Sequence, residues 1–164
     1  MKYAAYGSNL HPSRLTERTP SAQLIGVGFL PNWSLCFHKR SRDESGKCSI
    51  ASGDTGVHFA IFELSAADKL TLDSIEGVGA GYSEILLSIP RFGDCESYIA
   101  EESHVDDSLQ PYDWYKELVL EGMQFHSFPH HYVKTVASVK AHCDTDSERS
   151  ARNWKTVELV KARV

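Results

Sequence analysis

The segment Tyr3-Ala4-Ala5-Tyr6-Gly7-Ser8-Asn9-Leu10 runs an extended apolar stretch into Gly, Ser and Asn, residue types suited to a backbone turn. Such a junction can hold an anion. Gly7 permits positive φ and close approach of a ligand, while Ser8 and Asn9 set short hydrogen-bonding side chains beside the N–H groups of the turn. The same residue types also make an ordinary turn and helix N-cap, and local chemistry leaves both readings open. Glu76 is the candidate catalytic group. It stands at the carboxyl end of a predicted helix, where the macrodipole disfavours an anion by about 0.3–1 kcal/mol and Lys or Arg would be the default. Leu72 and Ile75 place it at the border of the apolar stripe, and Gly77-Val78-Gly79-Ala80-Gly81 would leave open space around its carboxylate. A surface glutamate followed by a flexible glycine loop is the alternative.

Other constellations are weaker. His126, His130 and His131 are close in sequence, but Pro129 interrupts any helix that would align them, and no nearby acid or thiol completes a tetrahedral metal set. Ser8 lacks the GxSxG context of a nucleophile elbow. The glycines from Gly77 to Gly81 have neither the spacing nor the lysine of a phosphate loop. Cys36, Cys48, Cys95 and Cys143 form no CxxC pair and read as free thiols, mostly buried, in a reducing compartment.

The elements that must position these groups come from pattern. A strand is expected from Lys2 to Tyr6, then a short helix entered at Pro12 with Leu15 as its apolar contact. Two strands follow between Ala22 and Phe37, broken at Pro31-Asn32, and the polar stretch Lys39 to Ser49 is a loop or wide hairpin. Val57 to Leu64 is a strand. Ser65 and Asp68 make a capping-box-like start to a helix through Ile75, closed by Gly77. Tyr82 to Ile89 and Glu96 to Ala100 are strands, Tyr112 to Phe125 has helical spacing, and Pro129 opens another helix. The tail after about residue 143 is polar until Trp154 to Val160, a helix or strand. Residues 1–164 thus read as one domain of about six strands and four helices.

With 41% hydrophobic and 24% charged residues, this is the composition of an ordinary globular chain rather than a disordered one. A net charge of −5 gives no general attraction to phosphate backbones or anionic lipid. The basic cluster from His38 to Arg42 is followed at once by Asp43 and Glu44 and reads as a solvated loop. Neither nucleic acid nor a membrane is expected as a partner. No leader-like start or apolar run of about 20 residues is seen, so a cytoplasmic protein is expected.

The YGSNL turn, Glu76-Gly77-Val78 after the strand and helix, Gly81-Tyr82 opening the next strand and Ser97-Tyr98 in the one after resemble the γ-glutamylcyclotransferase family. Tyr115-Lys116, Gly122, Pro129 and Tyr132 extend the resemblance, which covers roughly residues 2–139. It implies an α+β fold, a small mixed β-barrel flanked by helices, with a cavity between the first turn and the glutamate. It also implies a cofactor-independent enzyme of acyltransferase or lyase type, belonging to glutathione metabolism and acting as a monomer or homodimer. The reaction would be ring closure of a γ-glutamyl amino acid or peptide to 5-oxoproline, with release of the amine. Glu76 carries over as general acid and base, with its basicity raised by burial beside Leu72 and Val78 and by the helix end. Tyr3, Ala4, Ala5, Tyr6, Gly7, Ser8 and Asn9 carry over as the γ-glutamyl binding segment, and Tyr82, Tyr98 and Tyr115 as pocket walls or hydroxyl donors. The alternatives are a γ-glutamylamine cyclotransferase and a non-catalytic small-molecule-binding relative. Pro12 and Met123 depart from the family pattern at positions expected to shape the leaving-group end.

Overall fold

In the computed structural model, which describes residues 1–162, Val57–Glu63 forms a strand buried along nearly its whole length. A near-continuous apolar run suits a strand covered on both faces. The remaining elements assemble around it in the order β1 (Lys2–Ala5), α1 (Pro12–Arg18), β2 (Gln23–Leu30), β3 (Trp33–Arg40), β4 (Gly46–Ser52), β5 (Val57–Glu63), α2 (Ala66–Glu76), β6 (Tyr82–Ile89), β7 (Gly93–Ala100), α3 (Asp113–Phe125), α4 (His130–Ala137) and α5 (Ser147–Lys161). A short 3-10 turn spans Glu102–His104.

The main sheet has the strand order β2-β5-β1-β7-β6, with β1 parallel to β7 and the other neighbours antiparallel. β3 and β4 form a separate hairpin. The α+β class is as expected, but the barrel is not closed: β2 and β6 remain sheet edges, with no ladder between them among the described residues. β2 carries a register shift between Leu24 and Gly26, the kind of irregularity that twists an edge and ends pairing. The hairpin is tied to the main sheet where the Ala100 N–H donates to Ser49 Oγ at 2.9 Å.

Local chemistry sets the elements that matter for the site. Pro12 occupies the first turn of α1, His11 Nδ1 accepts the Ser13 N–H at 3.2 Å, and Leu15 is buried. Ser65 Oγ accepts the Asp68 N–H at 3.1 Å to cap α2, and Gly77, at φ 76° and ψ 50°, closes it in the left-handed conformation. Lys69 is buried inside α2 and ion-pairs with Asp73, Glu84 and Glu96, tying this helix to β6 and β7. That anchorage sets where the helix end, and so Glu76, comes to rest.

Of the two readings left open for Lys39 to Ser49, the hairpin holds: the stretch is the end of β3, a turn and the first half of β4. The tail is helical. Asp146 caps α5, Val157 and Val160 are buried, and Asp144 accepts hydrogen bonds from Trp114 Nε1 at 3.0 Å and Arg149 Nη2 at 2.5 Å.

Candidate active site at the first turn

β1 ends at Ala5 and the chain turns at once, with the Leu10 N–H donating to Gly7 O at 3.0 Å. Among the described residues, no protein acceptor takes the N–H of Gly7, Ser8 or Asn9. The turn therefore offers consecutive backbone donors, which is what an anion site requires. The expected role of Gly7 is corrected: its φ is not positive, and glycine is needed there for space. A Cβ on Gly7 would lie 3.0 Å from Cys48 Cβ and 3.6 Å from the Tyr115 hydroxyl. α3 supports the turn from behind. A Cβ on Gly122 would lie 2.4 Å from Leu10 Cβ, and His126 Nε2 donates to Leu10 O at 2.7 Å.

Glu76, the last residue of α2, meets this turn directly. Its Oε1 accepts from Asn9 Nδ2 at 3.0 Å and from Arg18 Nη1 at 3.2 Å, while Arg18 Nη1 also donates to Asn9 Oδ1 at 3.0 Å. Asn9 Nδ2 donates in addition to the Tyr3 hydroxyl at 3.2 Å. The apolar setting expected around Glu76 is not what surrounds it, because Val78 is exposed and a guanidinium occupies the flank. The glycine loop does leave space, since a Cβ at Gly79 would meet nothing within 4 Å, but its backbone is bonded. Gly79 N–H donates to Tyr82 O at 2.8 Å and Ala80 N–H to Gly77 O at 2.9 Å, making a bonded turn into β6.

The tyrosines form the walls. Tyr6 donates to Tyr98 O at 2.6 Å, Tyr82 to Cys48 O at 2.5 Å and Tyr98 to Asp73 Oδ1 at 2.7 Å, and the Tyr115 hydroxyl accepts the Cys48 N–H at 3.1 Å. Burial, above all, pushes the hydroxyls of Tyr3, Tyr6, Tyr82, Tyr98 and Tyr115 above their ordinary range, with the Glu76 carboxylate next for Tyr3, so all remain neutral near pH 7. Burial likewise pushes the Cys48 thiol up to about 12, which keeps it un-ionised and poorly nucleophilic.

Together they line a small, partly open cavity, which every residue expected for the site except Ala4 and Ala5 helps to form. Those two alanines are fully buried in β1, opposite Ile61 and Ala60 of β5, and they hold the strand rather than face the cavity. Cys48 is an addition that sequence reasoning missed, since nothing local in the hairpin from Lys39 to Ser49 brings it to the first turn.

Beside the cavity lies a wider groove of about 270 Å³ that shares Ser8, Glu76, Tyr82 and Tyr115 with it and adds Arg14, Arg18, Lys39, Asp43 and Lys47. This corrects the reading of the basic cluster as a solvated loop: His38 and Lys39 are buried in β3, and Lys39 Nζ lies 4.6 Å from the centre of the Tyr82 ring. A signal for the arginines was present, because Arg14 and Arg18 stand at i,i+4 on α1. Like charges at that spacing destabilise a helix unless something else compensates them.

No protein-family model matches the chain. A bovine protein named γ-glutamylcyclotransferase is 28% identical over 149 residues, which span 84% of this chain and 78% of that protein. A solved structure of a γ-glutamyl cyclotransferase superposes with a TM-score of 0.83 at 23% identity, covering 96% of this chain and 98% of the other. The chain has the fold of a γ-glutamyl cyclotransferase. The crystal structure of an uncharacterized human protein shares the fold at a TM-score of 0.76 and 25% identity, over 86% of this chain and 88% of that one. In this γ-glutamylcyclotransferase-like fold the departures at Pro12 and Met123 are structural. Pro12 opens α1, Met123 is fully buried in α3, and neither lines the cavity or the groove.

Proposed function

We propose that the protein cyclises a γ-glutamyl amino acid or peptide to 5-oxoproline and releases the amine, with Glu76 as general acid and base. One observation carries the reading: Glu76 and the Gly7-Ser8-Asn9 turn face the same cavity and are joined by the 3.0 Å bond from Asn9 to Glu76.

The chemistry needs both halves. The substrate's α-amine must attack its own γ-carbonyl, but near pH 7 it is an unreactive ammonium, so a base within hydrogen-bond reach has to take a proton. The ammonium and the Arg18 guanidinium compete for the same carboxylate oxygen, so binding exchanges one cation for another at Glu76. Attack forms the ring C–N bond and puts negative charge on the γ-oxygen, which the free N–H groups of the turn can stabilise. Glu76 then returns a proton to the leaving nitrogen, which cannot depart as an amide anion, and the old C–N bond breaks. No water or co-reactant is consumed. Attack within one molecule also removes the entropy of bringing reactants together, so the walls of Tyr3, Tyr6, Tyr82, Tyr98 and Tyr115 serve to keep the substrate curled.

The test is 5-oxoproline release from γ-glutamyl-alanine, γ-glutamyl-lysine isopeptide and glutathione, by wild type and by Glu76→Gln. Loss of a positioned general base lowers kcat by about 10²–10⁴-fold. Release from none of the three, or a Gln variant as fast as wild type, refutes the assignment.

A further inference from the structure

The groove next to the cavity has an unbalanced set of charges. Its two carboxylates are already paired: Glu76 with Arg18 at 3.2 Å, and Asp43 with Lys47 at 2.9 Å. Arg14 and Lys39 also line it, and neither has an ion-pair partner among the described residues. Arg14 Nε is buried without a hydrogen-bond partner, and burial, then the neighbouring Arg18, push its guanidinium down to about 10. Burial lowers Lys39 as well. Both remain cationic near neutral pH, held in a partly desolvated place where an anion would relieve them. This happens in a chain whose net charge is −5, so the cations are local to the groove rather than general to the surface.

The groove joins the cavity at Ser8, Glu76, Tyr82 and Tyr115. On the reaction proposed above, on which this inference rests, the γ-glutamyl part occupies the cavity, with its ammonium at Glu76 and its carboxylate or γ-oxygen at the turn. Whatever is attached to the γ-carbonyl must then emerge into the groove. A leaving group with no carboxylate would satisfy neither Arg14 nor Lys39, and one with a single carboxylate would leave one of them uncompensated beside the Arg18 that the substrate ammonium displaces from Glu76.

We infer that the groove is a leaving-group subsite for a dicarboxylate, so that the preferred substrate is a γ-glutamyl conjugate of an acidic amino acid, read by Arg14 and Lys39. The step is the ring closure already described: the bond from the α-nitrogen to the γ-carbon forms, the bond to the leaving nitrogen breaks, and protons move from the former nitrogen to the latter. Arg14 and Lys39 take no part in that transfer, so their effect belongs in KM and kcat/KM rather than in kcat.

The experiment compares γ-glutamyl-glutamate, γ-glutamyl-alanine and γ-glutamyl-ethylamine as substrates for wild type, Arg14→Gln and Lys39→Met, following 5-oxoproline. In wild type, kcat/KM falls in that order, by about tenfold for each carboxylate missing from the leaving group. Each variant loses about tenfold on γ-glutamyl-glutamate, and much less on γ-glutamyl-ethylamine. The wild-type ranking holds the test even where a variant fails to fold. Equal kcat/KM for γ-glutamyl-glutamate and γ-glutamyl-alanine in wild type, or variants that slow all three substrates alike, overturns the subsite and leaves the ring-closing activity standing. Absence of 5-oxoproline from all three overturns the activity and the subsite together.

Discussion

Replacing Asn9 with Leu removes a junction that holds both halves of the site. Asn9 Nδ2 donates to Glu76 Oε1 at 3.0 Å and to the Tyr3 hydroxyl at 3.2 Å, and Oδ1 accepts from Arg18 at 3.0 Å. A hydrogen bond with a charged partner contributes about 1.5–3 kcal/mol and a neutral one about 0.5–1.5 kcal/mol, so the upper bound for the two charged and one neutral bonds lies at about 7.5 kcal/mol. Not all of that disappears. Glu76 and Arg18 keep each other at 3.2 Å, and their side chains are 19% and 26% exposed, so their mutual pairing and water recover a large share. The Tyr3 hydroxyl, in a residue only 5% exposed, has no such recourse once Leu fills the space. The expected net loss is about 2–4 kcal/mol, which lowers the melting temperature by roughly 4–16 °C for a chain of this length. With Glu76 no longer held against the turn, kcat falls by about 10–100-fold. The assays are thermal melting and 5-oxoproline release, completed by a double-mutant cycle with Glu76→Gln that yields a coupling of about 1–2 kcal/mol. An Asn9→Leu protein that melts within about 1 °C of wild type, keeps its kcat and shows additive effects with Glu76→Gln would refute the claim that Asn9 positions the base.

Two further outcomes follow from the packing and the charges. Gly122→Ala places a Cβ 2.4 Å from Leu10 Cβ, so it should cost about 1–3 kcal/mol and reduce kcat as the turn is displaced. Because Ala is intrinsically the better helix residue by about 1 kcal/mol, a variant more stable than wild type by about that amount in thermal melting would show that the turn is not seated on α3. Asp144 is held down to about 2, from its usual 3.8, first by the Arg149 hydrogen bonds and then by Trp114. A depressed carboxylate contributes stability that is fully present above its unfolded value and is lost as pH falls toward the folded one. Urea midpoints should therefore drop between pH 4 and about 2, and Asp144→Asn should flatten that drop. An unchanged pH profile in the Asn variant would contradict the pairing.

The parts of the fold that were legible in the sequence are those decided by local chemistry. The β5 strand follows from an unbroken apolar run, α2 from Ser65 and Gly77 at its ends, and α1 from Pro12 with Leu15. The hidden parts are those whose identity comes from a distant partner. Gly46–Ser52 is polar and small, with little strand propensity, and becomes β4 only because β3 lies beside it. The open edge between β2 and β6 depends on twist accumulated over the sheet, and no local run of residues encodes it.

The site divides along the same line. Which groups could do chemistry was readable from residue type and position: a turn rich in donors at Gly7, Ser8 and Asn9, and a carboxylate set against its own helix dipole at Glu76. Their meeting was not readable, because Asn9 and Glu76 are separated by 67 positions and are joined only by the packing of α2 against the sheet. The same holds for Arg18 at the carboxylate, for Cys48 as the neighbour that requires glycine at position 7, and for the cationic groove of Arg14 and Lys39. Sequence by itself determines what each segment can offer. Tertiary structure decides which offers face one another, because side-chain electrostatics and hydrogen bonds act over a few ångströms and only folding brings distant residues within that range.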